Sequence, residues 1–257
     1  TIIIRGYYLC LTKEVFLWII NTIQTLACKM ALISKIAYYQ KIWTLGKQKG
    51  YRLKDPIFIV GCGHSGTSIL LSILSNHPRF FTIIPESYVF HENEYSRSKI
   101  FRLWVHKAYS NNKYAILEKT PSHCLKIRQI LKTFDNPKII AIIRDGRDVS
   151  CSLKKRNGNF KDGLNRWVSE NLELVKYIDS KNVFQVRYED FVRKTQHTVN
   201  KISTFLEEDI DIDIINNIKF GKKNFYEGDC DHARKRNKQI NENIKDFSGI
   251  WQKELSV

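Results

Sequence analysis

From Asp55 onward, apolar residues fall into short runs separated by turn signals. Pro56-Ile57-Phe58-Ile59-Val60 is a β-rich run that ends at Gly61. Bounded in this way by Pro and Gly, it predicts a buried parallel strand over 56–60. Helical spacing follows from Thr67 to Ser75 and stops at Asn76-His77-Pro78. The pattern then predicts a strand over 114–117, a helix over 123–134 and a central strand over 138–143, where Lys-Ile-Ile-Ala-Ile-Ile is the strongest apolar run. A helix is expected from Asp145 to about Arg156, and Asp162 is expected to cap another that runs to about Asp179. A strand over 183–187 and a helix over 190–206 complete the alternation. Strands alternating with helices of this length predict an α/β fold of three layers, a central parallel sheet flanked by helices.

The residues before Asp55 read differently. Glu14 is the sole acidic residue among the first 50. Val15 to Ile33 is strongly apolar, but Asn21, Thr22, Gln24, Thr25 and Lys29 interrupt it. Phe16, Ile19, Ile20, Ile23, Leu26, Met30 and Ile33 share one face at helical spacing. This predicts an amphipathic helix, either docked on the domain or lying on a membrane surface through residues 14–36. A signal-anchor is the alternative, given Lys13 before the stretch and Lys35 and Lys41 after it. A basic linker covers Gly46 to Lys54. The chain therefore divides into a basic, amphipathic helical appendage (1–54) and an α/β domain (55–257).

Composition narrows the function. The 257 residues carry 42 Lys and Arg against 26 Asp and Glu, a formal charge of +16. A 43% hydrophobic content excludes wholesale disorder. The charge suits a nucleic-acid partner, a highly anionic small molecule, or simply Lys-rich solvated faces. Six cysteines without a C-x-x-C pair exclude a zinc or thiol-redox motif of that kind. That usage, with no Asn-x-Ser/Thr sequon, favours a reduced, cytoplasmic setting.

The most informative segment is Gly61-Cys62-Gly63-His64-Ser65-Gly66-Thr67-Ser68, between the first predicted strand of the domain and a helix. Open α/β sheets bind anions at this position. Glycines let successive N–H groups converge on one anion, and the helix N-terminus adds partial positive charge. Gly61 and Gly66 match the G-x-x-x-x-G-K-[ST] phosphate loop, but Thr67 stands where that loop carries Lys. An anion other than a magnesium-bound nucleoside triphosphate is expected.

Residues 56–68 resemble the 5′-phosphosulfate loop of sulfotransferases, which use 3′-phosphoadenosine 5′-phosphosulfate (PAPS). His64 takes the place of the family's usual Arg or Lys, which would make activity depend on pH as an Arg enzyme's would not. Arg144-Asp145-Gly146-Arg147-Asp148-Val149-Ser150-Cys151-Ser152 resembles the family's 3′-phosphate motif, with Arg144 and Ser152 as the phosphate clamp. Arg supplies a planar fork suited to that dianion. Glu118-Lys119-Thr120-Pro121 is similar to a motif of carbohydrate and tyrosylprotein sulfotransferases. Gly163 to Trp167 resembles the helix that follows the 3′-phosphate motif, and Val186-Arg187-Tyr188-Glu189-Asp190 the strand end whose Tyr approaches adenine. Asn243 to Leu255 resembles the C-terminal Trp segment, with Arg236, Lys238 and Lys245 upstream as candidates to cover the donor.

The resemblance implies a P-loop-like sulfotransferase fold, PAPS as co-substrate without a metal, and in-line transfer to a hydroxyl or amine. Gly63, His64, Ser65, Gly66, Thr67, Ser68, Arg144, Ser152 and Tyr188 would bind PAPS. Glu86, eight residues past His77-Pro78, is similarly placed to the catalytic Glu of tyrosylprotein sulfotransferases and is the expected general base; His91, Glu92 and His123 are the alternatives. Lys119, with His64, would stabilise the sulfate or the leaving phosphate. Carbohydrate, peptide tyrosine and small metabolites stay open as acceptors. A kinase-like nucleotide binder would instead bind ATP and Mg²⁺, and a nucleic-acid binder would show steep salt dependence.

Overall fold

In the computed structural model of the chain, the described residues are 2–4, 7–9, 22, 53–211, 225–226 and 231–255. The expected amphipathic segment apart from Thr22, all but the end of the basic linker, and Cys10, Cys28 and Cys230 lie outside them. Strands β1 (Ile2–Ile4) and β2 (Tyr7–Leu9) form an antiparallel pair that the apolar pattern did not predict. The domain proper begins with β3 (Ile57–Val60) and α1 (Thr67–Leu74), then β4 (Phe80–Thr82), α2 (Glu94–Ser110) and β5 (Ala115–Lys119). A 3₁₀ turn (Pro121–Lys126) leads into α3 (Ile127–Thr133), followed by β6 (Lys138–Ile143), α4 (Gly146–Asn157) and α5 (Phe160–Val175). Next come β7 (Val183–Arg187), α6 (Tyr188–Arg193), α7 (Thr195–Leu206), α8 (Asp231–Asn241) and α9 (Ile250–Glu254).

Strands β4-β5-β3-β6-β7 form one parallel sheet in that order. The alternating apolar residues of its strands feed two cores. Ile57, Ile59, Leu117, Ile140 and Ile142 pack with Leu70 and Leu74 of α1 and with Val199 and Ile202 of α7. Phe58, Val60, Ile116, Ile139 and Ala141 pack on the other face with Phe101 and Trp104 of α2 and Ile127 and Ile130 of α3. Each fully buried Ile, Leu or Phe contributes about 1.5–3 kcal/mol, so the two faces together hold helices on both sides of the sheet. The three-layer expectation is met.

Register places the chemistry. Ile59 pairs with Lys119 on one side and Ile140 on the other. The loop after β3, the end of β5 and the end of β6 therefore emerge together at the carboxyl edge of the sheet, where such sheets bind ligands.

Several boundaries differ from the sequence pattern. Pro121 starts a 3₁₀ turn ahead of α3, so the 123–134 helix is shorter than expected. Asn159, not Asp162, caps α5: its side chain accepts from Lys161 N at 2.9 Å, and Asp162 sits in the first turn. The helix expected over 190–206 is two, broken at Lys194 (φ −132°, ψ 53°). Helix α2 had no predicted counterpart.

Candidate active site

The loop between β3 and α1 is built around backbone that few residues tolerate. Gly66 adopts φ 97°, and a Cβ there would stand 2.7 Å from the ring of Tyr188. Gly61 adopts φ 149°, and its Cβ would meet the Ile142 carbonyl oxygen at 2.3 Å. These two glycines let the loop press against β6 and Tyr188. His64 holds φ 70°, a left-handed conformation uncommon for a non-glycine residue.

Two motifs 88 residues apart meet here. His64 Nδ1 lies 2.7 Å from Ser152 Oγ on α4. Arg144, at the end of β6, donates to the His64 carbonyl at 3.1 Å and to the Phe247 carbonyl at 2.5 Å. Its guanidinium stacks over Tyr188 at 4.4 Å from the ring centroid. Tyr188 is buried, which pushes its phenol above the ordinary tyrosine range, with the Arg144 charge opposing. A cleft is lined jointly by His64, Thr67, Ser68, Arg144, Ser152 and Tyr188, with Arg236 and Gln239 of α8 on its far wall. Ser65 Oγ and Arg144 Nε are buried near it without a hydrogen-bond partner among the described residues. Unsatisfied buried donors are costly, and an anion would satisfy them.

A second cluster continues from the loop. Ser68 Oγ is hydrogen-bonded to the Tyr226 hydroxyl at 2.5 Å, and Tyr226 accepts from Lys119 Nζ at 3.0 Å. Lys119, only 2% exposed, pairs with Glu86 Oε1. Arg236 Nη1 reaches the same oxygen at 3.4 Å, and the Tyr88 hydroxyl donates to Glu86 Oε2 at 2.8 Å. Burial works to raise the Glu86 carboxyl. The charge of Lys119, hydrogen bonds from Lys119 and Tyr88, and the Arg236 charge outweigh it and hold the group below the usual glutamate range. Glu86 is therefore a carboxylate at neutral pH, a proton acceptor whose basicity is restrained by its cations. A base with a raised pKa, which general-base reasoning favours, is not what the geometry supplies before ligands bind.

The segment carrying Glu86 is fixed by a buried carboxylate. Glu118 accepts from Thr120 Oγ1 at 2.6 Å and Ser87 Oγ at 2.7 Å, and His123 Nδ1 lies 3.1 Å away. Thr120 Oγ1 in turn accepts from the backbone N–H of Ser87 and Tyr88 at 3.1 and 3.2 Å. Burial pushes the Glu118 carboxyl up, but His123 and the hydroxyl donors bring it below the ordinary range.

On the other flank, buried Asp148 accepts from Gly249 N at 2.8 Å and Trp251 N at 3.0 Å. Arg193 pairs with Asp246 at 2.9 Å. These contacts lay residues 245–251 beside Arg144 and Tyr188. Trp167 of α5 donates to the Arg144 carbonyl at 2.9 Å.

The structure thus brings together His64, Thr67, Ser68, Arg144, Ser152 and Tyr188 in one cleft, and joins Glu86 and Lys119 to it through Tyr226. His64, expected to share a role with Lys119, has its ring on Ser152 instead. The alternative bases are placed otherwise. His123 is fully buried beneath the loop, His91 is exposed and bonded to Ser122 at 3.0 Å, and Glu92 is exposed. Of the C-terminal candidates, Arg236 reaches the site, whereas the ammonium groups of Lys238 and Lys245 pair with Glu242 at 3.8 and 2.6 Å. Tyr226 and Asp148 were not singled out from sequence. Tyr226 acts through one hydroxyl and carries no local pattern; Asp148 lies one turn after Arg144 inside the 144–152 motif.

A family model described as the sulfotransferase family matches residues 85–212. The matched span holds Glu86, Lys119, Arg144, Ser152 and Tyr188, while the 61–68 loop precedes it. In structure the chain is similar to the sulfotransferase domain from the Synechococcus PCC 7002 olefin synthase, with 18% identity, 80% of this chain and 89% of that one covered, and a TM-score of 0.53. It is similar to mouse sulfotransferase SULT7A1 complexed with PAP, with 18% identity, 77% and 78% covered, and a TM-score of 0.53. No curated protein matches the chain in sequence. At this identity the structural likeness shows the sulfotransferase fold. No helix among the described residues is long and apolar enough to cross a membrane.

Proposed function

We propose, from the match of residues 85–212 to the sulfotransferase family model and from the sulfotransferase fold, that the chain is a sulfotransferase that moves a sulfuryl group from PAPS to a hydroxyl or amine acceptor. The observation that carries the reading is the junction of the two phosphate motifs in one cleft, with Ser152 Oγ 2.7 Å from His64 Nδ1 and Arg144 beside both. A single adenosine bearing phosphates at both ends needs such a pair of sites. The buried donors Ser65 Oγ and Arg144 Nε fit an anionic occupant.

In this reading, backbone N–H groups from Gly63 to Ser68 and the Thr67 and Ser68 hydroxyls hold the 5′-phosphate at the start of α1. Arg144 and Ser152 hold the 3′-phosphate, and Tyr188, stacked under Arg144, borders the adenine. The donor supplies an activated sulfuryl group, so the protein has only to align and stabilise. Lys119 supplies positive charge for the oxygens that gain charge in the transition state; losing one such preorganised donor typically costs about 10²–10³ in rate. Glu86 receives the acceptor's proton. When Lys119 turns toward the donor, its hold on Glu86 weakens and the carboxylate becomes a stronger base. Carbohydrate, peptide tyrosine and small-metabolite hydroxyls are the acceptor classes in view.

The test is a transfer assay with ³⁵S-labelled PAPS against pools of these acceptors, alongside thermal shift with adenosine 3′,5′-bisphosphate (PAP) and with ATP·Mg²⁺. Stabilisation by PAP alone, with label in an acceptor, is expected. Stabilisation by ATP·Mg²⁺ alone would point to a nucleotide-triphosphate protein instead.

A further inference from the structure

Glu86 has two oxygens, and the structure uses both. Oε1 carries Lys119 and Arg236, while Oε2 accepts the hydroxyl of Tyr88 at 2.8 Å. Arg236 stays on Oε1 when Lys119 turns toward the donor, so an acceptor that is to give its proton to this carboxylate needs the position at Oε2. That position is filled by a hydroxyl belonging to the chain itself.

Tyr88 is held there by its backbone. Its φ of 50° is left-handed, a strained conformation for an aromatic residue. The strain is maintained by a hydrogen bond from Tyr88 N to Thr120 Oγ1 at 3.2 Å, and by one from His91 N to the Tyr88 carbonyl at 2.7 Å. Thr120 is itself fixed by the buried Glu118. The residue, by contrast, is 48% exposed. A rigid backbone thus presents a half-solvated ring to the carboxylate, which suits a group that swings aside more than one that is part of the core.

We propose that the Tyr88 phenol holds the place of the acceptor's hydroxyl on Glu86, so that an acceptor must displace it before transfer. Tyr88 then gates turnover and selects acceptors able to compete for Oε2. The inference rests on the sulfotransferase reading above. In the step it controls, the acceptor's O–H proton passes to Glu86 Oε2 as its oxygen bonds to the sulfur of PAPS. The bond from sulfur to the 5′-phosphate oxygen breaks, and its electron pair leaves with PAP. With Tyr88 in place, water is kept from Oε2 and the sulfuryl group is not lost to solvent.

The experiment uses the full chain, ³⁵S-labelled PAPS and phenol as a probe acceptor, with wild type, Tyr88→Ala and Tyr88→Phe compared. Tyr88→Ala leaves a phenol-sized space beside Glu86, and is expected to form phenyl sulfate about tenfold faster than wild type, the weight of one displaced hydrogen bond. Tyr88→Phe keeps the ring and the fold but frees Oε2, and is expected to release PAP to water several-fold faster with no acceptor added. Thermal stabilisation by PAP should be the same in all three. Variants that bind PAP yet match wild type in both rates would overturn the gate and leave the sulfotransferase reading standing. Absence of PAP stabilisation in all three would overturn that reading, and the gate with it. Should Tyr88→Ala fail to fold, the water-driven rate of Tyr88→Phe decides.

Discussion

Ser152 Oγ lies 2.7 Å from His64 Nδ1, although 88 residues separate them. The contact joins the helix after β6 to the loop after β3, and it exists because β3 and β6 are neighbours in the sheet. Removing the Ser152 hydroxyl leaves the imidazole with one fewer partner and takes a donor from the 3′-phosphate site. Ser152→Ala is expected to weaken PAP binding about tenfold, and Arg144→Ala, which removes a charge-assisted fork, about a hundredfold. Isothermal titration with PAP checks both; unchanged affinity in Arg144→Ala would remove that residue from the phosphate site.

The Lys119–Glu86 pair separates binding from turnover. Lys119→Ala and Glu86→Gln are each expected to lower turnover by about 10²–10³ while PAP affinity stays within a few-fold. Single-turnover measurements beside PAP titrations make the distinction. A Glu86→Gln enzyme with near-normal turnover would take the proton-acceptor role away from this residue.

Stability should depend on pH in a definite direction. The Glu86 and Glu118 carboxyls are both held below their ordinary values, so the folded state binds protons less readily than the unfolded chain. Their contribution is fully present above the unfolded glutamate pKa of about 4.3 and is lost as pH falls through the lower folded values. Melting temperatures measured between pH 7 and pH 3 are expected to drop on the acid side, and Glu118→Gln should flatten that acid limb. An acid limb as steep in Glu118→Gln as in wild type would contradict the assignment.

Asp148 is the anchor of the C-terminal segment. Its two oxygens accept from Gly249 N and Trp251 N, and the Arg144 guanidinium lies 3.9 Å away. Asp148→Ala strands these donors and is expected to cost about 1–3 kcal/mol. Limited proteolysis should then cut residues 245–255 faster than in wild type, and PAP should restore part of the protection.

Four strands of the parallel sheet were legible because they are continuous apolar runs, whereas the three-residue edge strand β4 had no predicted counterpart. β6 and β7 have the bounds that the pattern predicted, and α4 starts where a helix was expected, with Asp145 as its cap accepting from Arg147 N at 2.8 Å. Helix α2 was not legible because its buried side includes Arg97 and Ser98 beside Phe101, Trp104 and Ala108, so polar and apolar faces blur. Arg97 is buried because it donates to the Val89 and Glu92 carbonyls, contacts no pattern announces. Among the site residues, motif spacing brought out those at strand ends. Tyr226 escaped because its partners, Ser68 and Lys119, are distant in sequence. The low pKa of Glu86 escaped because it is set by Lys119, Tyr88 and Arg236, which arrive from three separate segments.

The central claim is that one adenosine spans the loop after β3 and the end of β6. A crystal structure of the full chain with PAP tests it most directly. The account predicts the 5′-phosphate within hydrogen-bond reach of backbone N–H groups between Gly63 and Ser68, and the 3′-phosphate on Arg144 and Ser152. PAP bound elsewhere, or with either phosphate turned away from these groups, would contradict it.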